Sequence, residues 1–275
     1  MRRTAGARGQ PPLATGSTTL VAGSRSLFVV ARERVAHCGG PWSESTMSKT
    51  HRGGANSPKP PGPSSGRGEI ALDPSSTAVV CIECQNGVVG STSILPALAA
   101  EASPVIVSIA ELLRIARLAG ALVVHAPYVG ALGGAAESTP LMRTTAEATA
   151  DWTADHHQTQ IVRGLLAAGD LIVPRHHGFS ATLNTELLKI LRGNGIESII
   201  FAGVSLNVAI PISVAHAAEE GFHVVVVREA VAGTPADYGV QVLEYTIAML
   251  ASVISLQALE RHWATSAPVT VNRST

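Results

Sequence analysis

The chain has 275 residues, 20 Lys and Arg against 20 Asp and Glu, 46% apolar residues, 4% aromatics and 3 cysteines. This is enough apolar material for one large domain or two small ones, but too few cysteines for a disulfide framework or a four-thiolate zinc site. The apolar stretches are interrupted by charges or glycines before the roughly 18 residues needed to cross a bilayer, so no membrane partner is expected and a reducing, cytoplasmic setting fits.

The zero net charge conceals two opposite parts, +8 over residues 1–68 and −8 over the remainder. An acidic, aromatic-poor body does not attract polyanions, so no nucleic acid partner is expected. Residues 1–68 form a basic Gly/Pro/Ser-rich tail; its run NSPKPPGPSSGRG cannot build a packed core and is expected to be disordered. Met47 is a candidate translation start, and Arg25 interrupts the apolar centre that a targeting segment would need. The folded domain is expected over 69–265, with a flexible tail over 266–275.

From Thr77 the pattern changes. Thr77 to Glu83 (TAVVCIE) is a short β-branched apolar run, the type expected of a strand covered on both faces. Ala121 to His125, Asp170 to Val173, Ser198 to Ala202 and His223 to Val227 repeat it, and Ala251 to Leu256 offers a further edge strand. Between them the spacing predicts helices over Pro104 to Leu118, Leu183 to Arg192, Val208 to Glu220 and Ala236 to Leu250. Strands alternating with helices over short joins imply a parallel sheet wrapped by helices, with ligands beyond the carboxyl ends of the strands.

Those carboxyl ends supply the candidate site. The first strand runs into Glu83, Gln85 and Asn86, the second into His125 and Tyr128, and the third into Arg175, His176 and His177. The fourth runs into Ser205 and Asn207. A carboxylate closing an apolar strand is costly to bury unless paired or protonated, so Glu83 is either a general acid or base or a cap for the next loop. Gln85 either orients that carboxylate or satisfies the turn. The helix start near Val208 turns backbone N–H groups and a positive dipole end toward the crevice, a cradle for an anionic group. Ala209 stands where a nucleophile would be expected.

Other signals carry less. In one extended strand Cys81 and Cys84, three apart, would point to opposite faces, so a disulfide between them is not expected. The doublets His156-His157 and His176-His177 lack metal-ligand spacing, and ECQNGVVG is not a phosphate loop, so no metal, nucleotide or other cofactor is expected.

Two segments in combination, TAVVCIECQNGVV and the stretch from VPRHHGFSATLN through GVSLNVAIPISVAHAAEEGFHVVVVREAVAG, resemble the isochorismatase-like, or cysteine hydrolase, superfamily. The resemblance spans residues 70–262. It implies a three-layer α/β/α domain with a mostly parallel sheet of about six strands, and a homo-oligomer. It also implies an Asp-Lys-Cys triad whose positions correspond here to Glu83, Val173 (six before Phe179) and Ala209. Cysteine-nucleophile chemistry is then not expected, and the Asp-x-His run of metal-binding members is absent. Members that cleave isochorismate without a Cys imply an acid role for Glu83, with Arg175 the nearest cation. Two functions remain open: a Cys-independent hydrolase acting on a small carboxylate or amide, with Glu83 and Gln85 catalytic and His125, Tyr128, Arg175, His177, Ser205 and Asn207 around the ligand; or an inactive member that binds a small molecule or serves as a scaffold. An open crevice would favour the first, and one filled by Val173, Leu206 and Ile210 the second.

Overall fold

The computed structural model of the chain describes residues 72–131 and 139–266. The expected tail over 1–68, with Met47, and all but the first residue of the expected C-terminal tail lie outside the described residues. Six strands form one parallel sheet: β1 Thr77–Ile82, β2 Leu122–Ala126, β3 Leu171–Ile172, β4 Ser198–Val204, β5 His223–Ala232 and β6 Ser252–Ile254, in the order β3-β2-β1-β4-β5-β6. The chain steps outward from β1 to β3, returns to the far side of β1 as β4, and steps outward again. The strand order therefore reverses between β1 and β4, and parallel sheets open a crevice for ligands beyond the carboxyl ends at such a point.

The helices are α1 Asn86–Val89, α2 Pro96–Ala119, α3 Pro140–Ala148, α4 Leu187–Gly193, α5 Ala209–Glu219, α6 Ala236–Val242, α7 Ala248–Leu250 and α8 Leu256–Ser266. A π-helical stretch, Leu243–Ile247, joins α6 to α7. Alternate residues of β1 face opposite layers. Val79 and Cys81 pack with Ile109, Leu112 and Leu113 of α2 and Leu259 and Trp263 of α8. Val80 and Ile82 pack on the other face with Leu187 and Leu191 of α4 and Ile210 and Val214 of α5. Every residue of β1 and β4 is buried, which is why both read as uninterrupted apolar runs.

Some elements differ from expectation. α2 starts eight residues early: Pro96 takes the first-turn position predicted for Pro104, and Pro104 lies inside the helix. At 24 residues α2 is also long and apolar enough to cross a membrane by length and composition, contrary to the reading of the apolar runs. Its inner face, Ile109, Leu112, Leu113 and Ala116, is fully buried against the sheet. α4 starts at Leu187 because residues 180–185 are held in a hydroxyl network instead. Ser180 Oγ accepts from the Thr182 and Leu183 N–H groups, Ser213 Oγ accepts from the Ala181 N–H, and Thr185 Oγ1 donates to Ala181 O. α3 was not anticipated, although Thr139 caps it by accepting from the Met142 N–H and Pro140 opens it.

Gly203 closes the join between β1 and β4. It has φ +104°, and a Cβ there would lie 2.1 Å from Ile82 O. Only glycine lets β4 approach β1 so closely at the rim of the crevice.

Candidate active site

Glu83 follows β1 directly at the reversal point. Its φ of +56° is left-handed, a conformation costly for a residue with a Cβ, and the surrounding backbone enforces it. The Glu83 N–H donates to Ala126 O of β2 at 3.2 Å, Cys84 O accepts from the Val162 N–H at 3.0 Å, and the Asn86 N–H donates to Gln160 O at 2.9 Å. This left-handed turn points the carboxylate into the crevice.

The carboxylate meets Arg175. A terminal nitrogen of that guanidinium is in ion-pair contact with Glu83 Oε1, the two side chains being 3% and 14% exposed. The other terminal nitrogen donates to Gly178 O, and the guanidinium carbon lies 5.1 Å from the centre of the Tyr128 ring. Arg175 Nε is buried without a partner. Burial lowers the Arg175 pKa to about 9, which still leaves a cation at neutral pH. Glu83 therefore sits in an ion pair with a buried cation, an arrangement that suits a base better than an acid.

Around this pair lies a cleft of about 150 Å³. Its floor carries Glu83, Arg175 and Tyr128, and Ser205, Val208 and Ala209 come from the end of β4 and the start of α5. Val88 of α1 and Leu98 of α2 form one wall, and Leu141 and Met142 of α3 another. Trp152 closes a side, its ring 6.1 Å from that of Tyr128 at 50°. It packs so tightly on Gly87 that a Cβ there would lie 2.3 Å from the indole. His176 and His177 line the rim, with His176 Nδ1 3.0 Å from Gly130 O.

Of the residues expected here, Glu83, Tyr128, Arg175, His177, Ser205 and Ala209 come together around the cleft. Four do not. Gln85 does not orient Glu83: its Oε1 accepts from the Tyr128 N–H at 2.7 Å, and its Nε2 donates to Tyr128 O at 2.6 Å, clamping that strand end from a fully buried position. Asn207 is a second clamp, with Oδ1 accepting from the Thr234 N–H and Nδ2 donating to Thr234 O. His125 shares the face of Val123 under α2, where its Nε2 lies 3.1 Å from Asp170, itself paired with Arg117. Val173 is buried in the apolar core and donates its N–H to His125 O. The cation facing the carboxylate is two residues further on, at Arg175, which counting back from Phe179 does not reach. Leu206 and Ile210 also belong to the core, so the crevice is open.

Cys81 and Cys84 are another difference. β1 ends at Ile82 and the left-handed Glu83 swings Cys84 back onto the layer of Cys81. A hydrogen bond with Cys81, together with burial, pushes the Cys84 thiol well above its ordinary pKa. Neither thiol reaches the cleft. Among the described residues no three His, Cys, Asp or Glu side chains gather as a metal-ligand set. Trp152, Val88, Leu98 and the α3 wall carry no site motif in the sequence, and only the Thr139-Pro140 helix start is a signal for α3.

The fold resembles that of several solved structures. A cysteine hydrolase from Pseudomonas syringae pv. phaseolicola 1448A superposes with a TM-score of 0.61 at 18% identity, covering 71% of this chain and 96% of that one. An isochorismatase family protein from Desulfovibrio vulgaris superposes at 0.59 and 24% identity, covering 69% and 98%. N-carbamoylsarcosine amidase from Thermoplasma acidophilum superposes at 0.53 and 20% identity, covering 66% and 96%. The sequence profile of the isochorismatase domain matches residues 77–258, which hold all six strands and every cleft residue named above. This chain belongs to the isochorismatase domain family.

Proposed function

We propose that the protein is a thiol-independent hydrolase of a small carbonyl compound, with an amide as the first class to try, in which Glu83 is the general base. The observation that carries this reading is the Glu83–Arg175 pair on the floor of an open cleft. Arg175 holds one carboxylate oxygen, and the other is available to a water. Glu83 takes a proton from that water as its oxygen attacks the carbonyl carbon, and the proton passes to the departing amine as the tetrahedral adduct collapses to acid and amine. Backbone N–H groups at the start of α5, at the positive end of that helix, suit the transient oxyanion. Glu83 stands at the position of the family's acid, Arg175 supplies a cation two residues beyond the lysine position at Val173, and Ala209 removes the covalent route. The amidase among the structural neighbours supports amides as the class to test.

A second reading, an inactive small-molecule binder, is favoured by Ala209 and by the hold of Arg175 on Glu83. An amide and ester panel assayed with the full chain and with Glu83→Gln separates them. Turnover that falls by about 100-fold or more in the variant supports the hydrolase. Binding of panel members with no turnover above the uncatalysed rate overturns it in favour of the binder.

A further inference from the structure

We propose that the cleft selects an uncharged molecule with a hydrocarbon body and discriminates against carboxylates; this deepens the reading above, since it takes the same cleft as the ligand site. A carboxylate leaving water needs a full counter-charge, and among the described residues the cleft offers, beside a guanidinium that is already paired, only the partial charge of the α5 N–H groups and the imidazoles of His176 and His177. The guanidinium that the described residues place there, Arg175, is already engaged by the Glu83 carboxylate, by Gly178 O and by the Tyr128 ring. No lysine lines it.

The apolar lining points the same way. Val88, Leu98 and Trp152 present nearly buried hydrocarbon surface inside. At the mouth, Leu95 and Leu141 continue this lining and stay 39% and 44% exposed. The hydroxyls that face the cleft are uncharged: Thr145, Thr149 and Ser205. A space of about 150 Å³ has room for a body the size of a benzene ring. Anionic substrates are thereby assigned a poor fit, and a neutral head group beside Glu83 a good one.

Two matched pairs test this with the full chain by calorimetric titration at pH 8, above the ordinary imidazole range: hexanamide against hexanoate, and phenylacetamide against phenylacetate. Each amide is expected to bind at least about tenfold more tightly than its acid. Leu141→Lys places a cation on the exposed lip of α3 without touching the core, and is expected to shift the preference toward the acids by about tenfold. Acids binding as tightly as amides, no binding by either member of a pair, or a Leu141→Lys protein with unchanged preference each overturn the inference. Hydrolysis of an anionic substrate would sink it and leave the hydrolase reading standing, whereas amide binding without turnover does the reverse.

Discussion

The Arg175 guanidinium lies between the Glu83 carboxylate and the Tyr128 ring, so the charge at the centre of the cleft is matched within the protein before any ligand arrives. Removing one partner of such a pair strands the other. Arg175→Met is expected to lower stability by about 3–5 kcal/mol, whereas the double variant Arg175→Met, Glu83→Leu recovers most of that loss. Urea unfolding of the two single variants and the double gives the coupling. An Arg175→Met protein as stable as the parent would show that the pair is not formed in solution.

Gly203 and Gly195 both have positive φ, yet their surroundings differ. A Cβ at Gly203 would sit 2.1 Å from the Ile82 carbonyl oxygen, a backbone atom that cannot move without disturbing β1; at Gly195 nothing lies within 4 Å. Gly195→Ala is expected to cost about 1 kcal/mol from the left-handed backbone alone. Gly203→Ala should cost several times more and reduce soluble yield. Equal melting temperatures for the two variants would contradict the close approach of β4 to β1.

The fold was legible because buried parallel strands leave an unmistakable trace: TAVVCI, LVVHA, SIIFAGV and HVVVV contain almost nothing but β-branched and apolar residues. Their ends then placed Glu83, Tyr128, Arg175 and Ser205 at the crevice. What a strand end does not disclose is side-chain direction. His125 and Ala126 close the same strand and face opposite layers, and the parity that buries His125 under α2 is set by its register with Cys81. Gln85 and Asn207 carry amides that suit a ligand or a backbone equally, and each found a backbone partner. Trp152 and the α3 wall reach the cleft only through tertiary packing, which no local spacing encodes.

Asp170 provides a titration away from the cleft. Burial opposes its charge, but bonds from His125, Arg117 and the Ala167 N–H outweigh that and bring its pKa down to about 2. The folded value lies below that of an Asp in the unfolded chain, ~3.9, so the stabilisation is complete above that pH and is lost as pH falls through about 2. The difference corresponds to about 2–3 kcal/mol. Urea midpoints measured from pH 5 to pH 2 should fall more steeply for the parent than for Asp170→Asn. Parallel slopes would mean that the His125–Asp170–Arg117 cluster does not hold in solution.

Ala209 opens α5 and lines the cleft within the same wall as Ser205, while two of the three native cysteines, Cys81 and Cys84, are buried on the far face of β1. A thiol introduced by Ala209→Cys would lie at the positive end of an 11-residue helix, a setting that favours thiolate. It is therefore expected to react with iodoacetamide faster than either native core cysteine, whose rates are limited by exposure. Cys84 carries the further handicap of a thiol pKa pushed up by Cys81 and burial. Peptide mapping after brief alkylation separates the sites, and a ligand that fills the cleft should protect residue 209 alone. Labelling of Cys81 or Cys84 at the rate of the introduced thiol would mean that the layer under α2 opens as readily as the cleft, and the distinction between a working face and a structural face of β1 would fall.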